Sequence, residues 1–101
     1  MYATVRRYEL GAGSRGAGTI TELMRRCEEE LLPLVEQKGG FVGFYVVDAG
    51  NAVIVSVSIF ESEAQAEAGN EVVKKFWKER LAGILQANPQ VSEGGVLVHK
   101  P

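Results

Sequence analysis

The chain has 101 residues, 46% of them hydrophobic and 24% charged, which predicts a single globular domain over 1–101 and argues against disorder. One cysteine and one histidine exclude a disulfide framework and a multi-cysteine zinc site, and a net charge of −2 offers no basic field to a phosphate backbone. No apolar run reaches the roughly 18 residues of a membrane span and no charged-then-apolar leader opens the chain, so the expectation is a cytoplasmic protein with no membrane or nucleic-acid partner.

Met1 to Leu10 reads as a strand, with Tyr2, Thr4, Val5 and Tyr8 suited to a pleated surface. On it Tyr2, Thr4, Arg6 and Tyr8 share a face, so Arg6 and Tyr8 line a cavity if that face meets helices and sit at an exposed edge if it does not. Gly11 to Gly18 is a loop. Thr19 and Glu22 have capping-box spacing, and Ile20, Leu23, Met24, Cys27, Leu31, Leu34 and Val35 then form one apolar helical stripe. Pro33 should kink the last turns, and Gly39-Gly40 stops the helix.

Phe41 to Val47 and Ala52 to Phe60 read as two strands around a turn at Asp48-Ala49-Gly50-Asn51. Ser62 and Gln65 open a second helix that runs to about Leu85 or Gln86, Asn88-Pro89 ends it, and Val96 to His99 is a final strand. The order β-α-β-β-α-β is the ferredoxin-like α+β arrangement, a four-stranded antiparallel sheet with both helices on one face.

The hairpin is apolar on both sides. Val53, Val55, Val57 and Ile59 are all β-branched, while Ile54, Ser56, Ser58 and Phe60 mix apolar and hydroxyl groups. Helices cover one face, and several exposed valines on the other would be a liability at about 25 cal/mol per Å². The expected partner is therefore a second copy, forming a homodimer through the sheet faces. With the turn at Asp48 to Asn51, Tyr45 stands opposite Ile54 and Gly43 opposite Ser56, which places Tyr45 with Ser56, Ser58 and Phe60 on the helix side.

Other chemistries are weakly represented. Gly11-Ala12-Gly13-Ser14-Arg15-Gly16 matches G-x-G-x-x-G, but Asp48 lies too far on to serve a ribose, and a hairpin follows where a crossover should. RNA-recognition sheets stack bases on central aromatics, whereas the central strand here offers only β-branched and serine side chains before Phe60. Cys27 and His99 make no metal site and no nucleophilic triad, and Cys27 reads as a buried structural thiol. In the second helix Val73, Phe76, Trp77 and Ile84 fall within one arc that also contains Arg80. Arg80 either pairs with a carboxylate or projects toward the sheet to hold an anionic oxygen.

This order, the doubly apolar hairpin and the run Phe60-Glu61-Ser62-Glu63-Ala64 at the start of the second helix resemble the antibiotic-biosynthesis-monooxygenase-like proteins of the dimeric α+β barrel superfamily. The resemblance spans the chain and rests on pattern. Familiar members begin that helix with Trp-x-Ser, and some carry a His ten residues after the Trp. Here Phe60-Glu61-Ser62 and Asn70 stand at those places. The haem-degrading members use that His to ligate iron, so Asn70 speaks against haem. The oxygenases of the group need no cofactor and oxidise phenolic or anthrone-type substrates in an apolar cavity between sheet and helices.

On that model Tyr45 or Tyr8 supplies the hydrogen-bonding or proton-transfer group, and Arg6 or Arg80 holds the anion. Ser56, Ser58 and Asn70 orient the substrate, and Phe60, Phe76 and Trp77 form the walls. The competing expectation keeps the dimer and cavity but makes the protein a small-ligand-binding or interaction module without turnover.

Overall fold

The computed structural model describes residues 1–14, 16–81, 83–84 and 88–100. Its strands are β1 (Tyr2–Glu9), β2 (Phe41–Gly50), β3 (Val53–Phe60) and β4 (Gln90–Gly95). Its helices are α1 (Ala17–Arg26), α2 (Leu32–Glu36) and α3 (Glu63–Arg80). The strands form one antiparallel sheet in the order β2-β3-β1-β4. The helices pack on one face of it, so the chain has the ferredoxin-like β-α-β-β-α-β architecture. No helix among the described residues is long and apolar enough to cross a membrane.

The first helix begins earlier than Thr19. Gly16 is the residue before Ala17, and no side-chain cap closes the start. Between α1 and α2 the backbone widens into a π-turn over Cys27–Leu31, where the Leu32 amide donates to the Cys27 carbonyl. Four-residue steps drift about 40° each on a straight α-helix. Leu23, Cys27, Leu31 and Val35 are nevertheless all buried, because the wide turn brings the later pair back over the sheet. Leu34 falls off that stripe and is exposed. Burial pushes the Cys27 thiol up to about 11.

The hairpin turn sits later than Asp48 to Asn51. Asn51 and Ala52 both adopt positive φ, 53° and 61°, as a two-residue hairpin turn requires. Asp48 Oδ1 accepts from the Gly50 amide at 3.0 Å, and the ladder skips a residue between Asp48 and Gly50. This bulge resets the register: Tyr45 stands opposite Val57, not Ile54. One residue of slip exchanges the faces of a strand, so Tyr45 lies on the open face, 58% exposed. Ser56, Ser58 and Phe60 are buried on the helix side, and Val53, Val55, Val57 and Ile59 face away from it.

The last strand is Gln90–Gly95 and not the more β-prone Val96 to His99. Pairing decides this: β4 runs along β1 from Gln90 opposite Arg7 to Gly95 opposite Tyr2, and there β1 ends. The Val96 amide still donates to the Met1 carbonyl at 2.9 Å, but Leu97 and Val98 beyond it are 98% and 90% exposed.

Ser62 caps α3 as its spacing predicts, accepting from the Gln65 amide at 3.3 Å and donating to Gln65 Oε1 at 2.9 Å. Ala66, Gly69, Val73 and Phe76 form its buried stripe. Gly69 is required by a close approach, since a Cβ there would overlap the ring of Phe60. The helix stops at Arg80, with Leu81 outside helical geometry and Gly83 at φ 87°. The sequence-based end at Leu85 or Gln86 lies outside the described residues.

Candidate functional site

The sheet face under the helices is unusually polar. Thr4, Arg6, Ser56 and Ser58 are all buried there, and the pairing of β1 with β3 sets Arg6 opposite Ser56 and Thr4 opposite Ser58. Asn70, one position after Gly69 on α3, reaches down to this floor and donates from Nδ2 to Thr4 Oγ1 at 2.9 Å. Four side-chain atoms of the group are sealed from solvent without a hydrogen-bond partner: Arg6 Nη1, Ser56 Oγ, Ser58 Oγ and Asn70 Oδ1. Each such orphan costs about 1–3 kcal/mol in an otherwise dry interior. A core built only for stability would have used apolar side chains at these places.

Beside this floor a cleft of about 1080 Å³ opens between α3, β1 and β4. Arg6, Tyr8, Asn70 and Trp77 line its inner part. Tyr8 is buried and stacks on Trp77, with ring centroids 4.3 Å apart and planes 16° from parallel. Burial pushes the Tyr8 phenol above its ordinary value, partly offset by the Arg6 cation and by the nearby Ser56 hydroxyl, which stands beside it without good hydrogen-bond geometry. The phenol therefore keeps its proton and has it to offer. Burial pushes the Arg6 guanidinium below its ordinary value, while Tyr8 and Glu93 pull the other way. Arg6 is 6% exposed and belongs to none of the ion pairs among the described residues.

The expected site residues thus divide. Arg6, Tyr8, Asn70 and Trp77 meet at the cleft, and Ser56 and Ser58 lie on the same sheet face behind it. Phe60 and Phe76 are core residues instead of cleft walls, Phe60 packing edge-on to Phe41 at 5.8 Å under Gly69. Tyr45 is on the opposite face, for the register reason given above. Arg80 is also away from the cleft. By its last turn α3 has run past the sheet to the first helix, so Arg80 is 61% exposed and pairs with Glu30 at 2.7 Å, while Arg26 donates to its carbonyl. Pairing in water costs less than burying the guanidinium over the sheet.

Lys74 and Lys78 at the rim follow Asn70 at the four- and eight-residue steps that keep a helix near one side, whereas Glu71, one residue and about 100° on, carries no such spacing signal. Val91 and Glu93 complete the wall from β4, and only the displaced position of that strand hid them. Haem ligation through the second helix does not fit these residues. Asn70 offers a carboxamide where the resemblance places an imidazole, and its nitrogen is already bonded to Thr4. Among the described residues no three His, Cys, Asp or Glu side chains cluster to hold a metal ion.

Neither a family model nor a curated protein matches the sequence. Solved structures do match in shape. A candidate antibiotic biosynthesis monooxygenase from Nitrosomonas europaea superposes with a TM-score of 0.74 at 15% identity, covering 97% of this chain and 100% of its own. The likeness is one of fold, the ferredoxin-like fold shared with a candidate antibiotic biosynthesis monooxygenase. The heme-degrader MhuD of Mycobacterium tuberculosis, with two hemes bound in its active site, gives 0.70 at 19% identity over the whole of both chains. The monooxygenase ActVA-Orf6 of Streptomyces coelicolor, in complex with nanaomycin D, gives 0.67 at 15% identity over 97% of this chain and 92% of that one.

Proposed function

We propose that the protein is a small homodimeric oxygenase that uses no cofactor and acts on an electron-rich aromatic substrate held in the cleft. The observation that carries the reading is the cleft floor: a buried guanidinium and a buried, protonated phenol lie side by side against an aromatic wall. Oxygenation of a phenol or an anthrone begins with loss of a proton, here to water at the open mouth of the cleft, and the resulting negative charge must be held at an inner floor poor in water. Arg6 and the Tyr8 hydroxyl supply donors that need no reorganisation when that charge forms. Trp77 supplies a flat surface for the ring system. An anthrone-type methylene would react with one O2 to give one carbonyl and one water.

The homodimer belongs to the same proposal. Val5, Tyr45 and Val47 are exposed on the open face around Val55, Val57 and Ile59, and the tail leaves Leu97 and Val98 uncovered. A second copy packed face to face would remove this surface from water.

Oxygen uptake by chelator-treated protein, with quinols and anthrones, tests the activity. Protein-dependent uptake of one O2 per carbonyl formed is expected. Losing one donor to a developing oxyanion costs roughly 10²–10³-fold in kcat, so Tyr8→Phe and Arg6→Met should each slow turnover strongly. Saturable binding of the same compounds with no uptake would overturn the enzymatic reading and leave a ligand-binding module.

A further inference from the structure

The cleft's charges are not arranged evenly. Among the described lining residues the one buried charge is the Arg6 cation, and Lys74 and Lys78 stand exposed at the rim. The carboxylates on the lining, Glu71 and Glu93, are both exposed to water. An unpaired guanidinium taken out of water is costly, and its planar fork matches a carboxylate better than a single neutral oxygen. A second demand sits one same-face position along β1. There Thr4 holds Asn70 by its nitrogen, leaving Asn70 Oδ1 buried as an acceptor without a donor. Arg6 and Asn70 both line the cleft, so one ligand can meet both demands.

We infer that the ligand of this cleft is a hydroxyaryl carboxylate, its carboxylate seated on Arg6 and its hydroxyl donated to Asn70 Oδ1, with the ring system against Trp77. The inference rests on the proposed aromatic-binding role of the cleft and adds the charge and the polar substituents of the substrate. The rim lysines raise the local concentration of such an anion. The ligand satisfies the buried donor and the buried acceptor together, which neither a neutral quinol nor a bare aromatic acid does.

Calorimetric titration with three related probes tests this: 6-hydroxy-2-naphthoate, its neutral carboxamide, and 2-naphthoate. The hydroxy acid should bind best, the carboxamide about ten- to a hundredfold more weakly for want of a charged acceptor at Arg6, and 2-naphthoate about fivefold more weakly for want of the hydroxyl. Arg6→Met keeps side-chain length without charge and should lose most of the preference for acid over carboxamide, keeping only the salt-screened part that the rim lysines give. Arg6→Lys keeps charge without the fork and should retain a reduced preference for the acid, which covers the case in which the methionine variant does not fold.

Equal affinity of the wild-type protein for acid and carboxamide would overturn the inference, as would an acid preference that survives undiminished in Arg6→Met. If the acid preference is missing while neutral quinols still bind and consume oxygen, the inference fails and the proposed function stands. If no probe and no quinol binds, both fail.

Discussion

Under the helices the sheet presents Thr4, Arg6, Ser56 and Ser58, whereas the face turned away from them presents Val5, Val55, Val57 and Ile59. A sheet with one covered face normally has its apolar side inward and its polar side in water. Here the covered face of the central strands mixes these polar groups with Tyr8, Ile54 and Phe60 while the open face is largely apolar, and the chain on its own satisfies neither. The covered face holds polar groups with unmade hydrogen bonds, and the open face holds apolar area with nothing on it. Each deficit points to something added from outside: a polar ligand in the cleft and an apolar partner on the sheet.

The two faces can be broken separately. Val57 stands between Val5 and Tyr45 at the centre of the open face. Val57→Lys would place an unpaired ammonium from each copy in a dry seam, raising the dimer dissociation constant by roughly a thousandfold. Light scattering after gel filtration should show the mass fall from twice 11.0 kDa to that of one chain. A wild-type protein already of single-chain mass at micromolar concentration would remove this half of the account.

On the covered side, Gly69→Ala drives a methyl group into the ring of Phe60. Overpacking of this kind costs about 1–3 kcal/mol, and about 4–8 °C of melting temperature goes with each kcal/mol in a domain of this size. The opposite sign is expected at Ser58, whose hydroxyl is buried without a partner. Ser58→Ala removes an unsatisfied group at little cost in shape and should stabilise the ligand-free protein by about 1 kcal/mol, read as a higher melting temperature. A lower melting temperature would mean that the hydroxyl makes a bond the account denies it.

The smallest expected effect is on the outer surface of α1. There Arg25 and Arg26 hold the Glu22 carboxyl down at about 2 by hydrogen bonds and charge. A depressed carboxyl contributes stability above its unfolded value near 4.5, and loses it as pH falls toward about 2. Glu22→Gln should therefore lower the melting temperature slightly at pH 7, with the difference vanishing between about pH 4.5 and 2. Because the pair is fully exposed, added salt should shrink the difference as well.

Much of this architecture was legible from residue spacing. The order of elements, the Ser62 cap, the β-branched face of β3 and the shared face of Thr4, Arg6 and Tyr8 follow from periodicities of two and three to four residues, which the backbone enforces locally. The failures are non-local. The hairpin signal at Asp48 to Asn51 sets the turn too early: the turn residues are Asn51 and Ala52, and the bulge between Asp48 and Gly50 puts Tyr45 on the other face. The strand at Gln90–Gly95 has poor β-propensity and exists because β1 offers an unpaired edge there. Arg80 has the wheel angle of the buried stripe but lies where α3 has passed the sheet, and no helical wheel contains that limit.

The central claim is that the polar floor beneath α3 is a binding floor, and the chain carries its own reporter. Trp77 is the sole tryptophan and stacks on Tyr8 at the cleft wall. Titrating the protein with an anthrone under argon, so that no oxygen is consumed, should quench Trp77 emission along a saturable curve in the wild type and weaken that saturation in Arg6→Met. Quenching that rises linearly with concentration, with the slope of free tryptophan and no difference between wild type and variant, would contradict the account.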